Sequence, residues 1–151
     1  MVSPALRVRA VAVVLVALLA APVAASDDLP SLEQTAAAVA GNPLFETWTT
    51  PFATPPFDRI EAAHFEPAFE HAMAVHRAEI EAIATNPDAP TFENTIVALE
   101  LAGGDLDRVQ RTFSTLTSSA TNDDLRAIQR TMSPRLAAHA SAIALNEELF
   151  A

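Results

Sequence analysis

The 151-residue sequence contains no cysteine, which excludes disulfide bonds, thiolate nucleophiles, cysteine-ligated zinc and a lipid-modified N-terminal cysteine. Lysine is absent as well: the nine basic residues are all arginine, set against nineteen Asp and Glu. A body this acidic lacks the clustered cations that phosphate backbones require, which argues against nucleic acid as a partner, and an anionic membrane surface would repel it. Zinc hydrolysis of peptides needs two ligating His one helical turn apart, with a Glu beside the first, and no His here is followed by Glu. The inverted pattern fails too, because Pro67 stands where a His would be needed three residues before Glu70 and His71. Gly103-Gly104 has neither the lysine nor the strand context of a phosphate-cradling loop.

What is present fits one modest domain, half of it apolar, with enough apolar side chains for a sizeable core. Residues 1–25 read as a secretory signal peptide: Arg7 and Arg9 form the basic flank, Ala10 to Ala20 the apolar centre, and Val23-Ala24-Ala25 a small-residue cleavage site. Export to the periplasm or the medium is the expected fate. An uncleaved anchor is the competing reading, but the apolar run is shorter than the roughly 20 residues a span requires and meets Pro22 near its end. After cleavage, seven arginines face all nineteen acids, a net charge of −12, and no stable membrane contact is expected.

Along the mature chain, Ser31 to Gln34 has capping-box spacing. It predicts a short alanine-rich helix ended by Gly41, with a flexible spacer over residues 26–41 as the alternative because little is available for burial. Residues 42–57 set Pro43, Pro51, Pro55 and Pro56 among Phe45, Trp48, Phe52 and Phe57. Proline forbids a regular ladder while the rings demand burial, which predicts an extended strap whose rings fill grooves between helices.

Residues 58–151 read as helices. Asp58 is placed to cap a brief turn ending at Ala63, with Glu61 third in it. A long helix follows from Phe65 to Ala84, tolerating Pro67 in its first turn, with Phe65, Phe69, Met73, His76, Ile80 and Ile83 on one stripe and Arg77 and Glu81 off it. After Thr91, a cap, the stripe Phe92, Ile96, Leu99, Ala102, Leu106, Val109, Phe113 and Leu116 keeps phase through Gly103-Gly104. That continuity predicts one helix, although two glycines cost about 2 kcal/mol relative to alanine. Asp105 with Arg108 and Asp107 with Arg111 are spaced as outer charge pairs. Thr117 to Asn122 is a polar loop, and Asn122, Asp123 and Asp124 open a third stripe through Leu125, Ile128, Met132, Leu136, His139 and Ile143. Its phase survives Pro134, which predicts either a kinked helix or two abutting helices with Ser133 as the second cap. Asn146, Glu147 and Glu148 start one more helix, which ends with the chain at Ala151 and gives the sequence the look of a truncated piece. The predicted fold class is all-α, built of antiparallel amphipathic helices.

Few residues invite a chemical role. His71 and His76 are five apart and face different sides of a helix, a poor basis for a metal site. His76 and His139 lie on apolar stripes, where a hydrogen-bonded core histidine is the ordinary outcome, and His64 sits at a helix start. Ser114, Ser118 and Ser119 lack a nucleophile-elbow pattern, and loop polarity explains them. Asp123/Asp124 and Glu147/Glu148 occupy first helical turns, where carboxylates stabilise the helix dipole. The aromatic strap has no purely local explanation; packing onto further helices explains it better than ligand binding does.

Asn86 to Glu100, a proline-punctuated turn opening into a patterned helix, is the most specific block. With Asn42 to Phe45, Pro55 to Asp58, Leu136 to His139 and Leu145 to Phe150, it resembles the N-terminal helical region of the peptidyl-dipeptidase branch of the thimet oligopeptidase family of zinc metallopeptidases. The resemblance covers residues 42 to 151. It implies an almost wholly helical fold whose two lobes enclose a deep channel, with the zinc helix on its floor and N-terminal helices walling it so that only short peptides enter. It further implies a zinc-dependent parent enzyme that releases dipeptides from peptide C-termini, with this chain supplying a wall. No metal ligand, general base or carbonyl-polarising group of the family maps onto a position here, so no catalytic, cofactor-binding or metal residue is assigned. A different class of function is a self-sufficient exported helical module that binds peptides or a partner protein through the strap.

Overall fold

The computed structural model describes residues 30–149; the expected signal peptide lies outside them. The described chain is all-α, with helices α1 (Leu32–Ala38), α2 (Phe65–Ala84), α3 (Ala98–Leu101), α4 (Gly104–Ser119) and α5 (Asp123–Ala144), and a π-helical segment Phe92–Val97 ahead of α3.

Helix α2 is the centre of the assembly, because its apolar stripe is wide enough to serve several neighbours. Phe65, Ala68, Phe69, Ala72, Met73 and Ile80 are all buried. Helix α4 runs antiparallel to it and inserts Phe113, whose ring meets Phe65 and Phe69 at centroid separations of 4.9 and 5.3 Å, edge to face. Such pairs add roughly 0.5–1.5 kcal/mol beyond the area they bury. Leu125 and Met132 of α5 close the same core, with Leu44 of the strap beneath. Because α4 and α5 form a helical hairpin, α5 runs in the same direction as α2. A half-buried ion pair, Arg135 to Glu70 at 2.8 Å, fixes that contact.

The helix at residues 32–38 is present, with both hydrogen bonds of the Ser31–Gln34 capping box made. It docks instead of floating: Thr35 Oγ1 lies 3.0 Å from His71 Nδ1, and Val39 is buried. Gly41 follows with φ +76°.

The strap is held by its own polar groups. Buried Asn42 donates Nδ2–H to the His64 carbonyl at 2.9 Å and accepts from the Leu44 amide at 3.0 Å. Trp48 Nε1–H donates to the Pro43 carbonyl at 2.9 Å. Leu44 is fully buried and Phe45 partly so, whereas Phe52 is 98% exposed within this chain. Its backbone explains this: Phe52 and Ala53 take left-handed φ values of 60° and 51° in a tight turn that points the ring outward.

Four further expectations are corrected and one open choice is settled. The predicted single helix from Thr91 to Leu116 is broken, because Ala102 is extended and Gly103 is left-handed at φ +77°. The turn before α2 spans Ala62–His64 with Glu61, not Asp58, ahead of it, and His64 Nδ1 accepts the Glu61 amide at 2.9 Å. Arg108 does not pair with Asp105; it turns inward and donates to the Glu46 carbonyl at 2.9 Å. Helix α4 continues through Ser119 into the expected loop, since Thr117, Ser118 and Ser119 hydroxyls bond carbonyls a turn back instead of competing for the backbone. Finally, of the two alternatives at Pro134 the two-helix one is set aside: α5 passes through Pro134 as one helix, as the other alternative has it, and Ser133 donates to the Gln129 carbonyl at 2.7 Å instead of capping a second one.

Candidate functional site

Two places gather the side chains that could do chemistry. The first is the junction of α2, α5 and the break at Ala102–Gly103. His76 from α2 and His139 from α5 meet there, with His139 Nε2 at 3.1 Å from His76 Nδ1 and the rings edge to face at 5.1 Å. His139 is 4% exposed, and its Nδ1 has no hydrogen-bond partner among the described groups. Glu79, one turn after His76, accepts the Gly103 amide at 2.7 Å. Burial pushes the His139 pKa down to about 4, assisted by the neighbouring His76 and the Arg77 charge. His76 is lowered as well, chiefly by burial, with Glu79 pulling the other way. Both rings are therefore neutral near pH 7, one donating to the other.

The second is an open groove of about 710 Å³ between the strap and α4, lined by Trp48, Pro55, Phe57, Asp107, Arg108, Arg111, Thr112 and Thr115. Its charges are already committed. Arg108 lies over the Trp48 ring with its guanidinium carbon 3.9 Å from the centroid, a cation–π contact. Arg111 is paired with Asp107 at 2.7 Å, as the helical spacing predicts.

The other residues singled out from the sequence have structural duties. His71 packs edge-on against Phe45 at 5.2 Å and bonds Thr35, so it does not converge with His76. Asp123 pairs with Arg126 at 2.6 Å in the first turn of α5, and Asn122 caps that helix by accepting the Leu125 amide at 2.8 Å. Asn146 accepts the Leu149 amide at 3.2 Å. Among the described residues no three His, Asp or Glu side chains are grouped as a metal ion requires. The zinc that the resemblance implies does not fit these residues, and no step of hydrolysis is derived from them.

Sequence reasoning missed both convergences. The His pair had a signal: two histidines on the core stripes of two helices that pack together are candidates to meet. The Trp48–Arg108 contact had none, since the 59 residues between them carry no periodicity linking strap to helix.

An all-helical body with no metal-binding cluster among its described residues is the class this geometry defines. No family model matches the chain. Over 110 residues, 73% of its length, it is 44% identical to the dipeptidyl carboxypeptidase of Salmonella typhimurium and 46% identical to that of Escherichia coli. The chain spans 16% of the length of each of these relatives. The resemblance read from the sequence is thus shown: this chain is similar to one part of the dipeptidyl carboxypeptidases.

Proposed function

We propose that the chain is the N-terminal helical part of an exported zinc metallopeptidase of peptidyl-dipeptidase or oligopeptidase type, walling the channel that admits short peptides. The observation that carries this is the 44–46% identity over 110 residues to two dipeptidyl carboxypeptidases. Hydrolysis and zinc are assigned to polypeptide outside this chain, because the sequence carries no His-Glu-x-x-His and the described side chains group no three ligands. What these residues contribute is shape and rigidity. A wall made of α2, α4 and α5 excludes folded proteins and leaves extended peptides as the substrates of the parent.

Two features support the reading. Phe92, Ile96 and Leu101 leave 65%, 53% and 73% of their surface exposed on one short segment, as suits a body that packs against more protein. Residues 1–25 carry the features of an export signal. The self-sufficient binding module is not favoured, since the identity extends to enzymes.

The test is to read the gene beyond the codon for Ala151 and to assay the purified chain on short peptides with and without a chelator. The expected result is an open frame that reaches His-Glu-x-x-His, and no peptide cleavage by the chain alone. A frame that closes without that motif, or chelator-sensitive cleavage by these 151 residues, overturns the proposal.

A further inference from the structure

The histidine pair at the α2–α5 junction plays no part in walling a channel, yet its proton count is constrained. A hydrogen bond between two ring nitrogens holds one proton, here between His139 Nε2 and His76 Nδ1 at 3.1 Å. The neutral pair has one more N–H to place, on His76 Nε2 or His139 Nδ1. Because His139 Nδ1 is buried with no hydrogen-bond partner among the described groups, a bare lone pair there costs less than an orphaned N–H. The neutral pair therefore carries its second proton on His76 Nε2. A third proton has one position left. With the bridge and His76 Nε2 both occupied, it must sit on His139 Nδ1, creating a buried cation whose N–H has nothing to donate to.

The surrounding charges do not relieve this. From α2, Glu79 favours a charge on His76, but its carboxylate also accepts the Gly103 amide at 2.7 Å. Arg77, on the same helix, opposes a charge on His139. From α5, Arg135 lies one turn before His139 and is engaged with Glu70. The Ala102–Gly103 break brings backbone with no titratable side chain, packed so closely that a Cβ on Gly103 would lie 2.9 Å from the His76 ring.

We propose that His76 and His139 form a proton-operated latch: one proton taken up by the pair opens the junction and frees α5 and the Ala102–Gly103 break from α2. The Phe65–Phe69–Phe113 cluster between α2 and α4 contains no titratable group and stays packed. The inference stands independently of the enzyme reading, because it uses only contacts within this chain. Its physical basis is that protonation must convert a neutral pair with one bare buried lone pair into a cation with an unpartnered buried N–H, which exposure to water relieves.

The experiment is a histidine-ring NMR titration of the full 151-residue chain from pH 8 to pH 4, with amide exchange across α5 read in the same samples. The His139 ring is expected to stay neutral to below pH 5 while protection of α5 amides falls by up to about tenfold per pH unit, the limit for uptake of one proton. Amides of the α2–α4 contact keep their protection. His139→Leu replaces the ring with apolar volume that takes no proton, and it is expected to reduce the pH dependence of α5 protection above pH 4.5 to what His76 alone contributes. The wild-type titration needs no variant and decides the matter if leucine is not tolerated. A His139 that titrates at its unperturbed value of about 6.5, an α5 that remains protected once the ring is charged, or a pH dependence that is undiminished in the leucine variant would each overturn the latch.

Discussion

Gly103 lies against His76 so closely that a Cβ on the glycine would stand 2.9 Å from the ring's Cε1 and 3.0 Å from Nδ1. The glycine also holds a left-handed φ of +77°. Its neighbour Gly104 has nothing within 4 Å of its Cβ position and begins α4. Gly103→Ala is therefore expected to destabilise the chain by about 1–3 kcal/mol through backbone strain and displacement of the His76 ring. Gly104→Ala should be neutral or stabilising by up to about 1 kcal/mol. Urea unfolding followed by circular dichroism distinguishes the two, and equal effects would count against the assigned break.

Stability should depend on pH through His139. Unfolded histidine takes its proton near 6.5, whereas the folded ring holds out to about 4, so the folded state binds fewer protons between those values. Stability is full above pH 6.5, falls as pH is lowered, and stops falling on this account near pH 4. The slope approaches about 1.4 kcal/mol per pH unit for this one group, and His76 acts in the same direction. Urea midpoints at pH 7.5 and pH 5 measure it; midpoints that coincide would contradict the burial of the pair.

Arg108 and Trp48 give a spectroscopic handle, because the chain has a single tryptophan. Arg108→Ala removes the guanidinium over the indole and the bond to the Glu46 carbonyl. The expected cost is about 1–2 kcal/mol, with a red-shifted Trp48 emission as the strap loosens from α4. An unchanged emission maximum would show that the strap is held by Leu44 and Asn42 alone.

Asn122→Ala deletes the side chain that accepts the Leu125 amide at the start of α5. The loss is expected to be about 1 kcal/mol, and thermal melting of the variant reads it. Asn122→Asp should retain most of the stability, since a carboxylate caps equally well and favours the helix dipole.

The exposed side chains of the Phe92–Leu101 segment offer the opposite case. Phe92→Ser, Ile96→Gln and Leu101→Gln, singly, should each change stability by less than about 0.5 kcal/mol, as surface substitutions do. Together they should reduce binding of an apolar-surface dye. A large loss of stability would mean that the segment packs within this chain.

Helical periodicity is a property of neighbouring residues, so it could be read directly. Steps of three and four along Phe65 to Ile83 marked both ends of α2, and Asn122 with two aspartates marked the start of α5, because a cap and a stripe are local facts. The same local reading misjudged Gly103. Its stripe stays in phase on either side, yet continuity in sequence says nothing about what lies opposite, and the helix breaks where the His76 ring and the Glu79 carboxylate meet the backbone. Arg108 shows the same limit: four-residue spacing forms a pair for Asp107 and Arg111 on the open face, but Arg108 finds an indole and a carbonyl brought in from 60 residues away. The order of residues thus set the class of fold, the extent of α2, the starts of α1 and α5 and the absence of a peptidase zinc motif, all of which depend on short-range spacing. Packing settled which histidines meet, where the long helix breaks and which rings face water, because those outcomes depend on elements far apart in the chain competing for one surface of α2.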